Sequence, residues 1–321
     1  MRELLFKKLC SFADDKRMMF LTADMGAGAV EELAGKLGDR FLNVGIAEQN
    51  MALVASGLAL DGRRVFFFSI CTFPSLRCLE MIRNDICYPN LDVTILNFGT
   101  GMEYGALGVT HHFTEDVAML RALPNMKVYT PSCEDEITLI MDELYKDGGP
   151  AYIRLQKSGA VSGAKDGKAS SDSNGQGLSK KRDMVNTDSN KNTMRLGYTN
   201  TTINLAEKGN GKGDTAIIAS GPIIGEAMGL DTDVYSLVNF FKNKEMIVNV
   251  MKNYKKIISV EEHQIVGGLY SYLCELKNEA NLNVQITPVA LTEFTPTVGT
   301  QKELRTHYKI DKGTIREKLS K

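Results

Sequence analysis

The stretch Arg40 to Leu60, R-F-L-N-V-G-I-A-E-Q-N-M-A-L-V-A-S-G-L-A-L, limits what this chain can become more than any other. Phe41 to Val44 is short, apolar and partly β-branched, which predicts a buried strand. Gly45 permits a tight turn after it. From Ala47 the residues favour helix, and Met51 to Leu60 is apolar on every face apart from Ser56 and Gly57. A helix that is apolar all round is expected to be buried. Its small residues, Ala52, Ala55, Ser56, Gly57 and Ala59, would let another backbone come close. Glu48 stands at the entrance, and two roles are open to it. It can be a carboxylate stabilised by the helix dipole, worth roughly 0.3–1 kcal/mol. It can also be a carboxylate held in an apolar setting to hydrogen-bond a ligand nitrogen, with burial raising its pKa and the dipole lowering it.

The rest of the chain alternates strands and helices around this unit. Arg2 to Ala13 has helical spacing. Met18 to Thr22 reads as a strand running into the glycine-rich turn A-D-M-G-A-G, a geometry that brings ligands to a strand's C-terminal end. Strands are expected at Arg64–Ser69, Asp92–Phe98, Lys127–Tyr129 and Ala151–Leu155, and helices at Leu76–Ile86, at Glu115–Leu120 and from an N-cap at Ser132. This order predicts an α/β fold whose parallel sheet is covered on both faces. The segment 159–193 is rich in Ser, Gly, Asn, Asp and Lys and poor in large apolar residues, so it reads as a flexible linker. A second domain is expected over 194–321, with strands at Thr201–Ala206, Asp214–Ser220, Val234–Val238 and Lys256–Val260. The run Glu261 to Leu269, E-E-H-Q-I-V-G-G-L, reads as a polar loop entering a helix that continues to about Glu275. Domain limits of 1–158 and 194–321 follow, with the insertion between them.

Bulk properties exclude several classes of function. The net charge of −1 offers no basic field for nucleic acid. No apolar run is long enough to cross a membrane, and the first residues lack the pattern of a secretory signal. The six cysteines are scattered without a C-x-x-C, as expected of reduced thiols in the cytoplasm acting as small buried hydrophobes. The adjacent His111 and His112 follow a loop with four glycines between Gly99 and Gly108. They have no third ligand at metal spacing, so a zinc site is not expected.

The string N-V-G-I-A-E-Q-N-M, Asn43 to Met51, resembles the cofactor-activating segment of the transketolase family of thiamine diphosphate enzymes. The resemblance extends on both sides, through S-I-C-T-F-P-S-L-R-C-L-E-M-I-R, G-V-T-H and V-E-E-H-Q-I-V-G-G-L. It implies two doubly wound domains, a pyrimidine-binding domain followed by a transketolase C-terminal domain that mainly serves the dimer. It makes Glu48 the catalytic carboxylate that bonds the cofactor's pyrimidine ring and drives the tautomer that deprotonates the thiazolium carbon. Asp24, Met25, Ile70 and Phe73 would line the cofactor's pyrimidine, Phe73 by stacking. His111 would face the substrate, and Arg2 and Lys157 would meet its phosphate.

The same resemblance marks what is missing. The family has a histidine where this chain has Gly99, and an acidic pair at Ala106 and Leu107. It holds the cofactor's diphosphate through Mg2+ bound by a G-D-G motif, and no G-D-G occurs here. A partner subunit carrying that half is therefore expected, in a dimer of heterodimers. The implied reaction moves a two-carbon ketol unit from a ketose to an aldehyde. Two alternatives stay open: a deoxyxylulose-phosphate-synthase-like half using pyruvate as donor, and a non-catalytic interaction subunit.

Overall fold

The computed structural model describes residues 1–156, 198–210 and 213–321. Six strands form the first sheet: β1 (Met18–Thr22), β2 (Phe41–Asn43), β3 (Arg64–Ile70), β4 (Val93–Phe98), β5 (Lys127–Tyr129) and β6 (Ala151–Leu155). Their order is β2-β1-β3-β4-β6-β5 and every pairing is parallel. A parallel sheet must be covered on both faces, which is why β1, β4 and β6 are buried along their whole length. Helices α1 (Arg2–Ser11), α2 (Glu31–Leu37), α3 (Glu48–Leu60), α4 (Leu79–Met81), α5 (Asp116–Arg121) and α6 (Glu134–Asp147) connect and cover it. No described helix is long and apolar enough to cross a membrane.

The second sheet runs β11-β10-β8-β9-β7, with β7 (Ile203–Glu207), β8 (Thr215–Ser220), β9 (Asp233–Leu237), β10 (Lys256–Gln264) and β11 (Gln285–Leu291). Strand β7 pairs antiparallel with β9, so this sheet is mixed at one edge. Helices α7 (Lys244–Met251), α8 (Leu269–Glu279), α9 (Gln301–His307) and α10 (Lys312–Ser320) complete the domain. One apolar cluster joins both domains, with Met51, Phe67 and Tyr152 packed in the same core as Leu237, Phe240 and Tyr272. The insertion 159–193 lies outside the described residues.

Several expectations need correction. Strand β2 is half-buried because it is the sheet's edge. Helix α3 buries Glu48, Met51, Ala52, Ala55, Ser56 and Ala59, but its opposite face carries the exposed Leu53 and Leu60. The expected helix Leu76–Ile86 is instead irregular through Cys78, then one helical turn, then the π-turn Ile82–Cys87. The N-cap before α6 is Cys133, which makes no side-chain cap. Glu136 reaches back instead, its Oε2 accepting from the Ser132 amide at 2.7 Å and hydroxyl at 2.9 Å. Glu262 and His263 lie in β10, not in a loop, and are 1% and 2% exposed.

Candidate active site

The site residues collect at the C-terminal edge of the parallel sheet, where successive strands release their loops. Two neighbouring strands turn there on left-handed residues, Asp24 (φ 54°) after β1 and Cys71 (φ 52°) after β3. Asp24 is held by Asn43 at the end of β2. The Asn43 amide donates to Asp24 Oδ1 at 3.1 Å, and Asn43 Oδ1 accepts from the Asp24 N–H at 3.0 Å. Thr22 Oγ1 donates to the Met25 carbonyl at 2.6 Å, which fixes the start of the glycine turn. Met25 and Ile70 are half-buried against the same core cluster as Phe68 and Phe98.

Glu48 opens α3 and is 4% exposed. Its Oε2 accepts from Arg77 Nη1 at 2.8 Å, while Oε1 accepts from no described residue. Arg77 also lies over Phe73, its guanidinium carbon 4.4 Å from the ring centroid. The Arg77 carbonyl accepts from Gln49 at 3.0 Å, so the segment after β3 is tied to the first turn of α3. Cys78 lies behind this pair, and its thiol is pushed up to about 12, first by burial and then by the nearby Glu48 charge.

His111 completes the wall. Its ring meets Phe73 edge-on at 5.4 Å and Tyr104 at 6.3 Å. Thr110 Oγ1 lies 3.0 Å from His111 Nδ1, and Thr72 donates to the Thr110 carbonyl at 3.3 Å. The loop that carries His111 is pinned from the second domain. Glu262 Oε1 accepts from the Met102 N–H at 2.6 Å, His112 Nδ1 lies 2.8 Å from the Thr295 carbonyl, and Gly299 N–H donates to Gly105 at 3.2 Å. Glu262 is itself held by Arg305 at 2.7 Å and Gln301 at 2.9 Å.

The structure thus brings Glu48, Phe73 and His111 into one run of contacts and places Asp24, Met25 and Ile70 on the adjoining strand ends. Arg2 lies in α1, lining a cavity of about 270 Å³ with Lys7, Cys10 and Glu32. Lys157 lies outside the described residues. Three residues of this constellation were not assigned a role from sequence: Arg77, Tyr104 and Glu262. Arg77 had a signal, standing four residues after Phe73; Glu262 acts through a partner in another domain, which no local pattern displays.

The residues fit the pyrimidine half of thiamine diphosphate. Glu48 is buried with Oε1 accepting from no described residue, and Arg77 joins it to the Phe73 ring; a carboxyl group and an aromatic ring are the groups a ring nitrogen and a stacked heterocycle require. Among the described residues no group of three His, Cys, Asp or Glu side chains could hold a metal ion.

Comparison with known proteins identifies the two domains. The family model for the transketolase pyrimidine binding domain matches residues 6–160, and that for the transketolase C-terminal domain matches 209–315. One of the subunits of the apulose-4-phosphate transketolase of Actinobacillus succinogenes is 28% identical, over 86% of this chain and 83% of its own length. The 1-deoxy-D-xylulose-5-phosphate synthase of Bordetella pertussis is 29% identical over 96% of this chain, which spans 46% of that enzyme. A solved structure described as a split gene transketolase, inactive beta4 tetramer, superposes with a TM-score of 0.75 at 24% identity, covering 99% of this chain and 96% of its own. With both family models matched in the order of the two sheets, the chain belongs to the transketolase family, of which it carries the pyrimidine-binding and C-terminal domains.

Proposed function

We propose that this chain is the pyrimidine-pocket subunit of a split, thiamine-diphosphate-dependent transketolase. It would transfer a two-carbon ketol unit from a ketose to an aldehyde acceptor together with a second chain that binds the diphosphate and Mg2+. The observation that carries the proposal is the Glu48 carboxylate, buried at the mouth of α3 with Oε1 unengaged and Phe73 close by through Arg77. Relatives named as transketolase subunits support the division of labour.

When bound, thiamine diphosphate supplies the carbanion and electron sink for C–C cleavage. The chain's own residues have narrower tasks. Glu48 would donate or share a proton with the pyrimidine nitrogen, and its burial strengthens that hydrogen bond. Phe73 would hold the ring flat, with Met25 and Ile70 excluding water from its edges. His111, its Nδ1 beside the Thr110 hydroxyl, keeps Nε2 for a substrate oxygen, which it would position or protonate. Arg2 would attract a phosphate at the outer end, and Lys157 is proposed for the same task. The remaining site assignment is Asp24, which would anchor the pyrimidine side through its bond to Asn43.

A second reading, a pyruvate-using half of the deoxyxylulose phosphate synthase type, is favoured by one feature. Gly99, Ala106 and Leu107 supply no polar side chain to a sugar hydroxyl, and a buried hydroxyl without a partner costs roughly 1–3 kcal/mol. One experiment separates the readings. The chain is co-expressed with a G-D-G-bearing partner, thiamine diphosphate and Mg2+ are titrated, and a ketose phosphate or pyruvate is offered with an aldose. Cofactor binding by the pair and ketol transfer that Glu48→Ala abolishes are the expected results. Turnover unchanged in Glu48→Ala would refute the assignment, and cofactor binding without turnover on any donor would point to an interaction subunit.

A further inference from the structure

Gly99 and Tyr104 are locked into a single choice. Gly99 has φ +75°, and a Cβ built there would lie 2.0 Å from Tyr104 Cε2 and 2.3 Å from Cδ2. No real carbon pair approaches so closely, so the Tyr104 ring occupies the space a side chain at 99 would take. The ring stands beside His111, centroids 6.3 Å apart and planes tilted by 54°. The Tyr104 side chain is half-buried, and its hydroxyl makes no hydrogen bond to a described residue. Burial raises its pKa first, with the nearby Cys71 and Glu103 adding to the rise and Arg2 opposing it, so a neutral phenol stands at neutral pH. Beyond it, Leu107 and Val109 are exposed apolar side chains of the same loop.

On the reading of this chain as a ketol-transfer subunit, we propose that Tyr104 is its donor-specificity residue. The ring fills the space beside His111, whose other ring neighbour is Phe73, and the exposed side chains nearby in its loop, Leu107 and Val109, are aliphatic. Such surroundings leave the hydroxyls of a polyhydroxylated donor without partners, whereas a site built to pair a hydroxyl rejects the analogue that lacks it. The donor class that fits is one with fewer hydroxyls on the carbons that face Tyr104. The effect acts through shape and hydrogen bonding at the substrate and leaves Glu48 untouched.

Two measurements test this. In the first, a stability cycle compares Gly99→Ala, Tyr104→Ala and the double variant by urea unfolding of the full chain. Gly99→Ala should lower the midpoint, and adding Tyr104→Ala should recover part of the loss. Purely additive midpoints would show that ring and residue 99 do not compete, and would overturn the structural half of the proposal. In the second, the paired enzyme is offered a ketose phosphate and its analogue lacking one hydroxyl. Tyr104→Ala should shift the ratio of kcat/KM toward the hydroxylated donor by about tenfold, and Tyr104→Phe should act on KM more than on kcat. An unchanged ratio in a working pair would sink the specificity role alone. No transfer by the unaltered pair would sink the ketol-transfer reading and the specificity role with it, while the stability cycle would still decide whether the ring fills the space at Gly99.

Discussion

Arg77 shows how much of this site is decided by one side chain. It is 47% exposed, yet it bonds a carboxylate that is only 4% exposed, and its guanidinium also covers Phe73. Removing it strands a buried acceptor. Arg77→Ala is therefore expected to lower unfolding stability by about 1–2 kcal/mol, and Arg77→Gln, which keeps a donor, to lose less. Urea midpoints of the three proteins check this; equal midpoints would mean that Glu48 gains nothing from the pair. The cysteines make a second residue-scale case. Burial pushes the thiols of Cys71, Cys78, Cys87 and Cys133 up to about 12. The thiolate is the reactive form, so these four should resist Ellman's reagent at pH 8 in the native protein and react on denaturation. Fast labelling of more than Cys10 and Cys274 in the native state would contradict that. Glu48, Phe73 and His111 stood out in the sequence because each sits beside a motif, and the structure joins them in one run of contacts. Tyr104 was not, because its position depends on the missing side chain at Gly99, five residues earlier.

At the scale of elements, the second domain acts on the first through β10. Asp116, at the start of α5, is fully buried and bonds Arg154 Nε at 2.7 Å. Arg154 in turn donates to the Glu262 carbonyl at 2.9 Å. Next to it, His263 Nδ1 lies 2.7 Å from the Gln264 carbonyl and Nε2 accepts from the Ala118 N–H at 3.3 Å. That pattern suits a neutral imidazole. Burial lowers the His263 pKa from 6.5 to about 4, against the opposing pull of Asp116, 3.9 Å from Nε2. Between those values the unfolded chain takes up a proton that the folded chain refuses, so His263's contribution is lost as pH falls from 6.5 toward 4. Glu261 has the opposite sign. Burial raises it from 4.5 to about 8, so its contribution is lost as pH rises through that window. The variant His263→Gln isolates the first term. Its stability deficit relative to the unaltered chain should narrow by about 2 kcal/mol between pH 7 and pH 4.5, read from urea midpoints. A constant deficit would show that His263 is not held neutral. The run reads as a loop in sequence for a clear reason: E-E-H-Q is four polar residues in succession, and three of them find a partner in the first domain, Met102 for Glu262, Ala118 for His263 and Thr114 for Gln264, which no local pattern displays. Strands β1, β5 and β6 fell where expected because short apolar runs in a parallel sheet are their own signal.

For the whole molecule, the outer face of α3 asks for a neighbour. Leu53 and Leu60, seven residues apart on α3, are 44% and 70% exposed, and Ile46, just before the helix, is 78% exposed. Gly57 lies on the same face with no atom within 4 Å of the Cβ it lacks, and Leu76 is exposed at 45%. The expectation of a helix buried all round, read from Met51 to Leu60, fails for this chain. An apolar stripe with a glycine at its centre lets a second helix approach closely, and apolar faces of this kind mark interaction sites. A second copy of this chain is the occupant expected from the dimer of heterodimers that the family resemblance implies. The chain alone should then sediment as a dimer or larger at micromolar concentration. Leu53→Glu combined with Leu60→Glu places charges in that face without touching the buried positions of α3, so helix content should stay unchanged while the sedimenting mass falls. A chain that is monomeric before the change, or an assembly that survives both charges, would move the interface away from α3 and leave Glu48 to be completed by a partner approaching from elsewhere.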